Sequence, residues 1–135
     1  SSTTVAMSCT ISAQALTFSA YDPTSASNSD ATANIQSSCT AGGSVVITMG
    51  QGGNAEASST DSVPVRQMIG SGGNLGYAVY TDTDRLAVWG NTEATGNAFT
   101  ASGGLDTVVV YGRIPGSQSV GAGSFSDSVA VTLTY

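Results

Sequence analysis

The sequence predicts an all-β protein, and three observations favour a β-sandwich. Apolar and polar residues alternate in short runs, as they do in strands with one buried face. No stretch repeats apolar residues at the spacing of an amphipathic helix, and the helix former Lys is absent. Clusters of Gly, Asn, Asp and Ser separate the runs at the intervals typical of sandwich domains.

Eight short segments carry the alternation or are rich in β-branched and aromatic residues, so each is expected to form a strand. Turn residues separate them, including Asp22-Pro23 and several glycine pairs that adopt positive φ at low cost. Residues 51–61 and 91–103 are poor in large apolar side chains and are expected to be mobile loops. The predicted strands are 5–11, 16–20, 31–35, 44–49, 75–80, 86–89, 107–111 and 128–135.

The composition limits the classes of partner. A chain of 135 residues is long enough for one domain with a hydrophobic core. Only 9% of the residues are charged, against about 25% in an average domain, and the formal net charge is −6. Lys and His are absent, and the basic residues are Arg66, Arg85 and Arg113. Nucleic acid is excluded as a partner because its phosphates need clustered basic residues, and anionic lipid is disfavoured for the same reason.

Cys9 and Cys39 are the only cysteines, and they are expected to form a disulfide, with two buried thiols as the alternative. Such a bridge would stabilise the fold by about 3–4 kcal/mol and would indicate an oxidising compartment. The chain begins at Ser1 without Met, so we expect that a signal peptide has been removed. No run reaches the roughly 18 apolar residues that cross a bilayer, and membrane insertion is not expected.

The residue inventory argues against an enzyme. Without His or Lys, the common Ser-His-Asp, Cys-His and Ser-Lys arrangements cannot form. Asp82 and Asp84 share one strand face and could form a carboxylate pair or begin a calcium loop, but a polar turn fits them better because no further oxygen ligand follows. We therefore expect no catalytic residue, no metal and no cofactor.

Three further features have structural interpretations. The glycine-rich residues 70–73 fit a turn better than a phosphate cradle, since neither a helix nor Lys follows. Trp89 fits a core position better than a carbohydrate platform. Arg113 fits a structural ion pair or a strand-end contact better than a ligand site.

Several strings together resemble the spore coat protein U domain family, in order and with plausible spacing from about Cys9 to Tyr135. They are CTISA at 9–13, LTF at 16–18, AYDP at 20–23, LGYAVYTD at 75–82, VWG at 88–90, VYGRIP at 110–115, GAGSF at 121–125 and VAVTLTY at 129–135. The resemblance implies a subunit of the archaic chaperone-usher pili of bacteria, a group that includes the biofilm-forming Csu pili.

The resemblance also implies the fold and its partners. Such subunits resemble an immunoglobulin-like sandwich that lacks its last strand, which leaves a hydrophobic groove open. A periplasmic chaperone fills the groove first. The N-terminal segment of the next subunit then replaces the chaperone by donor-strand complementation at an outer-membrane usher.

This pattern divides the chain into a possible donor segment, residues 1–8, and a pilin-type sandwich domain, residues 9–135. Val5 and Met7 alternate within the Ser/Thr-rich segment as an inserted strand requires. Alternatively, the alternation over 5–11 is the domain's own first strand, or the segment is trimmed. At the other end, a terminal strand is expected to border the groove and face the chaperone through Val129, Val131, Leu133 and Tyr135.

The predicted function is therefore that of a structural subunit, secreted through the periplasm into an extracellular fimbrium, where it polymerises with identical or homologous subunits and supports attachment and biofilm formation. One alternative is a tip-type adhesin that contacts a host or abiotic surface through residues 51–61 or 91–103, which offer mainly Phe99. Another is a self-contained secreted coat or matrix protein that supplies all of its own strands.

Overall fold

Nine strands in two antiparallel sheets form the fold, and the computed structural model describes all 135 residues. One turn of 3-10 helix, Glu93–Thr95, is the only helical element, and no helix could cross a membrane. The all-β prediction is confirmed. The strands are β1 (Cys9–Ala13), β2 (Ser29–Cys39), β3 (Ser44–Met49), β4 (Arg66–Gly70), β5 (Gly73–Tyr80), β6 (Asn97–Thr100), β7 (Leu105–Ile114), β8 (Phe125–Ser126) and β9 (Val131–Thr134).

The larger sheet has the strand order β1-β2-β7-β5-β4-β8, and the smaller sheet has the order β6-β3-β9. The longest ladder joins β2 to β7, from Ser29 opposite Ile114 to Ser38 opposite Leu105. The C-terminal part of the chain contributes to both sheets, because β8 pairs with β4 and β9 pairs with β3. Strands β1, β8 and β9 are all edge strands, so each offers an unpaired backbone edge.

The alternation along the strands decides which side chains form the core. In β2, Ala33, Ile35 and Cys39 are buried while the residues between them are exposed, apart from the buried Ser37. In β5, Leu75, Tyr77 and Val79 are buried, and the residues between them are half-buried. Successive side chains of a strand point to opposite faces, so these rows meet the inner face of the smaller sheet.

Trp89 joins the two sheets. Its side chain is fully buried, and its indole Nε1 donates a hydrogen bond of 2.9 Å to the carbonyl of Ile47 in β3. A buried Trp needs such a partner for its N–H group. The prediction that Trp89 is a core residue is confirmed.

The prediction of a strand at residues 86–89 is wrong. Only a single bridge forms there, between Tyr80 and Val88. The reason is a tight turn: one carboxylate oxygen of Asp82 accepts hydrogen bonds of 3.0 Å from the backbone N–H groups of Leu86 and Ala87. The hydrogen bond from Ala87 lowers the pKa of Asp82. The expectation of a polar turn at Asp82 is confirmed, and the short run beyond it pairs with β5 only at Val88.

Other element boundaries also differ from the predictions. Residues 16–20 form no strand because they have no hydrogen-bonding neighbour. The predicted loop 91–103 contains β6, where Phe99 lies opposite Val45 of β3. Strands β4 and β8 were not predicted. Strand β8 pairs only with β4, which is distant in sequence, whereas the glycine-rich turn predicted at 70–73 connects β4 directly to β5.

The predicted disulfide and the predicted structural role of Arg113 are both confirmed. Cys9 and Cys39 lie opposite each other in the β1–β2 ladder and form a disulfide. Arg113 of β7 lies opposite Asp30 of β2 and donates two hydrogen bonds to its carboxylate, at 2.8 and 3.0 Å. The Arg113 guanidinium thereby lowers the pKa of Asp30.

Candidate functional site

A groove of about 1050 Å³ runs along one side of the sandwich, between two stretches of chain that belong to no long strand. We call residues 13–21 the first rim and residues 120–131 the second rim. Twenty of the 29 residues that line the groove are hydrophobic, so it is an apolar surface facing solvent. A surface of this kind marks a binding site or an aggregation hazard.

The floor of the groove is the core itself. The inner faces of β2, β5 and β7 contribute most of it, and Met49 of β3 and Met68 of β4 add to it. These residues are buried or half-buried at the bottom of the groove. The other main floor residues are Ala33, Ile35, Leu75, Tyr77, Val79, Val110 and Ile114.

The exposed surface area supports an open sandwich. The chain exposes 7363 Å², whereas a folded monomer of 13.4 kDa is expected to expose about 6,500 Å². Ile11 of β1 is one of the residues that contribute to the larger exposed area. It lies opposite the buried Ser37 and therefore shares its inner face, yet Ile11 is 40% exposed. The inner face is thus uncovered beside β1.

The first rim is held by side chains and not by a ladder. Leu16 and Phe18 are half-buried over Gly112, where an added Cβ would lie 2.7 Å from Leu16 and 2.9 Å from Phe18. The backbone groups of residues 15–20 make no hydrogen bond. At one end of this stretch, the N–H of Gln14 donates to the carbonyl of Asn34 at 2.9 Å. The rim therefore presents unpaired backbone groups along the groove.

The far end of the first rim is fixed by Tyr21. Its hydroxyl donates to the carbonyl of Pro115 at 2.7 Å and accepts from the backbone N–H of Gln118 at 3.2 Å. The side-chain amide of Gln118 in turn donates a hydrogen bond to the carbonyl of Gly76 in β5 and accepts one from the N–H of Gly76. These contacts connect the rim to the larger sheet just beyond the end of β7.

The second rim carries an apolar stripe interrupted by one carboxylate. Phe125, Val129 and Val131 are half-buried and line the groove. Asp127 lies in the same alternation, and one of its oxygens accepts a hydrogen bond of 2.6 Å from the hydroxyl of Tyr77. Burial raises the pKa of Tyr77 well above its usual value, and the hydrogen bond to Asp127 adds to this effect.

Arg66 lies buried behind this pair, with 1% of its surface exposed. It donates to the carbonyls of Met49, Gly50 and Trp89, at 3.0, 2.8 and 2.7 Å. Burial lowers its pKa to about 10, so the guanidinium stays charged at neutral pH. Arg66 thus holds β4 against the end of β3 and has a structural role.

The site is an apolar surface whose polar side chains are held by contacts within the fold. The polar groups of Tyr77, Asp127 and Gln118 are occupied by hydrogen bonds within the fold. No cluster of three or more His, Cys, Asp or Glu residues is arranged to hold a metal ion. What the groove offers is an apolar floor between two edges with unpaired backbone groups.

A sequence model of the spore coat protein U domain matches residues 1–132. The chain belongs to the spore coat protein U domain family. A curated relative, Protein U of Myxococcus xanthus, is 39% identical over 127 residues, which is 89% of this chain and 71% of Protein U. The family resemblance inferred from the motifs is therefore confirmed.

The fold of this spore coat protein U domain is similar to that of a solved chaperone-usher subunit. The solved structure is the CsuC–CsuE chaperone–tip adhesion subunit pre-assembly complex from the archaic chaperone-usher Csu pili of Acinetobacter baumannii. The TM-score is 0.64 at 19% identity, over 98% of this chain and 40% of the matched chain. The likeness confirms the immunoglobulin-like, all-β fold.

The predicted groove-edge residues of the domain are divided between two environments. Val129 and Val131 line the groove. Leu133 is half-buried and packs against the core near Cys39 and Val45, whereas Tyr135 is 63% exposed. Their role in chaperone contact stays a prediction.

The predicted donor residues are also divided. Val5 is 78% exposed, whereas Met7 is half-buried against Cys39 and packs beside Gly43 of its own domain. The backbone carbonyl of Ser8 accepts a hydrogen bond of 3.0 Å from the backbone N–H of Thr40. The family match begins at residue 1, so the division into residues 1–8 and 9–135 stays a prediction as well.

Sequence reasoning missed the polar residues that hold the rims, namely Asp127, Gln118 and Tyr21. One signal was available for Asp127, because it interrupts the apolar alternation Phe125, Val129, Val131. No comparable pattern pointed to Gln118, whose partner in the fold is 42 residues away.

Proposed function

We propose that this domain is a structural subunit of an extracellular chaperone-usher pilus, and that it polymerises by accepting an extended strand from a neighbouring subunit. The observation that carries the proposal is the apolar groove between two rims with unpaired backbone groups. The fibre would support surface attachment and biofilm formation. Its assembly needs no cofactor and no chemical step.

The chemistry of the groove favours a strand over a lipid or a small apolar ligand. The backbone of residues 15–20 and the outer edge of β9 lack hydrogen-bonding partners, and an acyl chain could supply none. An extended peptide supplies backbone groups to both rims and alternate side chains to the floor, which is strand addition to a sheet edge. Each apolar side chain buried in this way contributes about 1.5–3 kcal/mol.

We propose residues 1–8 of the next subunit as the donor, with Val5 and Met7 facing the floor. Val5 is already exposed. Met7 would have to leave its half-buried position near Gly43, a cost that the deeper groove would offset. Before assembly, a periplasmic chaperone would cover the groove and contact the stripe formed by Val129, Val131, Leu133 and Tyr135. The outer-membrane usher would then exchange the chaperone for the donor strand.

The alternatives have less support. A tip-type adhesin would present apolar loop ends, but Phe99 is half-buried within β6. A self-contained coat protein would cover its own inner face, whereas Ile11 is 40% exposed here and an apolar groove of about 1050 Å³ remains between the rims. We therefore favour the shaft or adaptor subunit over both.

Coexpression with the cognate chaperone and usher tests the proposal, with negative-stain imaging and denaturing electrophoresis as readouts. The test variant Val5→Asp, Met7→Asp places charge on the inward-facing positions of the donor. The matched control Thr4→Asp, Ala6→Asp places the same charge on the opposite face. We expect thin, detergent-resistant fibres from the unmodified chain and the control, since inserted strands dissociate slowly, and none from the test variant.

Fibres from both variants would remove Val5 and Met7 from the mechanism. If no fibres form from the unmodified chain, and its groove fails to bind any alternating peptide, strand acceptance itself is wrong.

A further inference from the structure

Asp127 is the only charged residue among those that line the groove. It occupies an inward-facing position of the second rim, where the alternation would otherwise place an apolar side chain. A half-buried carboxylate in such a wall is costly unless hydrogen bonds satisfy it. Its position therefore needs a physical explanation.

The carboxylate connects three separate parts of the chain. One oxygen accepts from the hydroxyl of Tyr77, in the floor, at 2.6 Å. The other accepts from the backbone N–H of Gly53 at 2.9 Å and from the side-chain amide of Asn54 at 3.2 Å. Asp127 thus bonds the larger sheet on one side and the loop after β3 on the other.

Little else holds the chain at this point. Strand β8 is two residues long, and β9 begins only at Val131. Between them, the backbone makes one hydrogen bond, from the N–H of Gly50 to the carbonyl of Ala130 at 2.9 Å. Over residues 127–130, the second rim therefore depends on the side chain of Asp127.

We propose that Asp127 is a positioning residue for strand capture: it fixes the height and register of the second rim above the floor so that an incoming strand can pair with it. The inference rests on the proposed function, since it assumes that the groove accepts a strand. Asp127 acts through its contacts with Tyr77 and Gly53, and it does not need to touch the strand.

A substitution at Gly52 disturbs the hydrogen bonds of Asp127 without changing any residue that takes part in them. Gly52 has a φ of +83°, and a Cβ added there would collide with the carboxylate of Asp127. Gly42 has a nearly identical φ of +86°, but a Cβ added there would meet nothing within 4 Å. Gly52→Ala and Gly42→Ala therefore impose the same backbone strain, and only the first displaces Asp127.

The experiment compares the two variants with the unmodified domain by two measurements. The first is hydrogen exchange of residues 120–131 in the isolated full chain. The second is the dissociation constant of two fluorescent peptides, one with the sequence of residues 1–8 and one with twelve alternating Val and Thr residues. We expect Gly52→Ala to increase exchange in the second rim and to weaken peptide binding at least about tenfold, while Gly42→Ala changes neither.

A purely structural role would give a different result, in which both glycine variants keep the peptide affinity of the unmodified domain. That result, or unchanged exchange in the second rim of Gly52→Ala, would overturn the proposal. If neither peptide binds the unmodified domain, the proposed function fails, and the exchange comparison still decides whether Asp127 positions the rim.

Tyr77→Phe provides a second variant in case Gly52→Ala does not fold. It removes only the hydroxyl that donates to Asp127 and keeps the ring in the core. We expect faster exchange over residues 125–131 and a several-fold weaker peptide affinity. Unchanged values for both measurements would contradict the positioning role.

Discussion

Gln118 pairs with Gly76 through both ends of its side-chain amide. The Nε2 group donates to the Gly76 carbonyl and the Oε1 atom accepts from the Gly76 N–H, each at 2.8 Å. A neighbouring strand would satisfy the same two backbone groups in the same way. Strand β7 ends at Ile114 and pairs with β5 only over Ala78–Tyr80, so Gln118 replaces the neighbour that Gly76 lacks on the β7 side of β5.

Replacing Gln118 with Glu should destabilise the domain by about 1–3 kcal/mol, because the carboxylate cannot donate to the carbonyls of Gly76 and Pro115. Urea unfolding at pH 7 measures the change. Gln36→Glu is the control, since Gln36 is exposed on β2 and makes no side-chain hydrogen bond within the fold. Equal losses for the two variants would show that added charge, and not the lost pairing, is responsible.

Removing the disulfide should lower the free energy of unfolding by about 3–4 kcal/mol, because Cys9 and Cys39 close a loop with a sequence separation of 30. The variant Cys9→Ser, Cys39→Ser and the reduced unmodified chain should lose similar amounts in urea unfolding. The control is the double variant with added reductant, whose stability should not change. A smaller loss would mean that the unfolded chain is already restricted without the bridge.

A charge on the groove side of the second rim should impair strand capture. Val129→Asp places a carboxylate on the apolar wall, where an inserted strand would exclude water from it, so the affinity for alternating peptides should fall at least about tenfold. Ser128→Asp is the matched control, because Ser128 is exposed and does not line the groove. Fluorescence anisotropy with labelled peptide gives both values. Similar affinities for the two variants would argue against the groove as the binding site.

Stability should fall in acid partly through Asp30. The hydrogen bonds from Arg113 lower the folded-state pKa of Asp30 below its usual value of 3.8. Its contribution is therefore fully present above about pH 4 and is lost as the pH falls through the lower folded-state pKa. The Asp30 side chain is 37% exposed, so solvent screening keeps the contribution below about 1 kcal/mol.

Unfolding measured from pH 5 to pH 2 tests this prediction, and Asp30→Asn should show a shallower decline than the unmodified chain. Asp84→Asn is the control, since Asp84 forms no hydrogen bond or ion pair. Parallel curves for the unmodified chain and Asp30→Asn would mean that the Arg113 pair contributes nothing measurable.

The sequence by itself determined the class of fold, the core and the disulfide. The alternation in β2 and the β-branched and aromatic runs of β3 and β5 are local patterns, so they could be identified without knowing any partner strand. Trp89 and the Cys9–Cys39 pair followed from residue type. Family membership followed from strings of neighbouring residues, and a match over residues 1–132 confirms it.

Only the tertiary structure decided where the groove lies and what holds its rims. Asp127 meets Tyr77 across 50 residues and Gly53 across 74, and Tyr21 meets Pro115 across 94. Contacts at such separations leave no local periodicity, because each depends on how two distant strands are placed in the sheets. For the same reason, the alternating stretch around Leu16 and Phe18 became an unpaired rim. Alternation shows which face of a segment is apolar, but an available neighbour decides whether that segment becomes a strand.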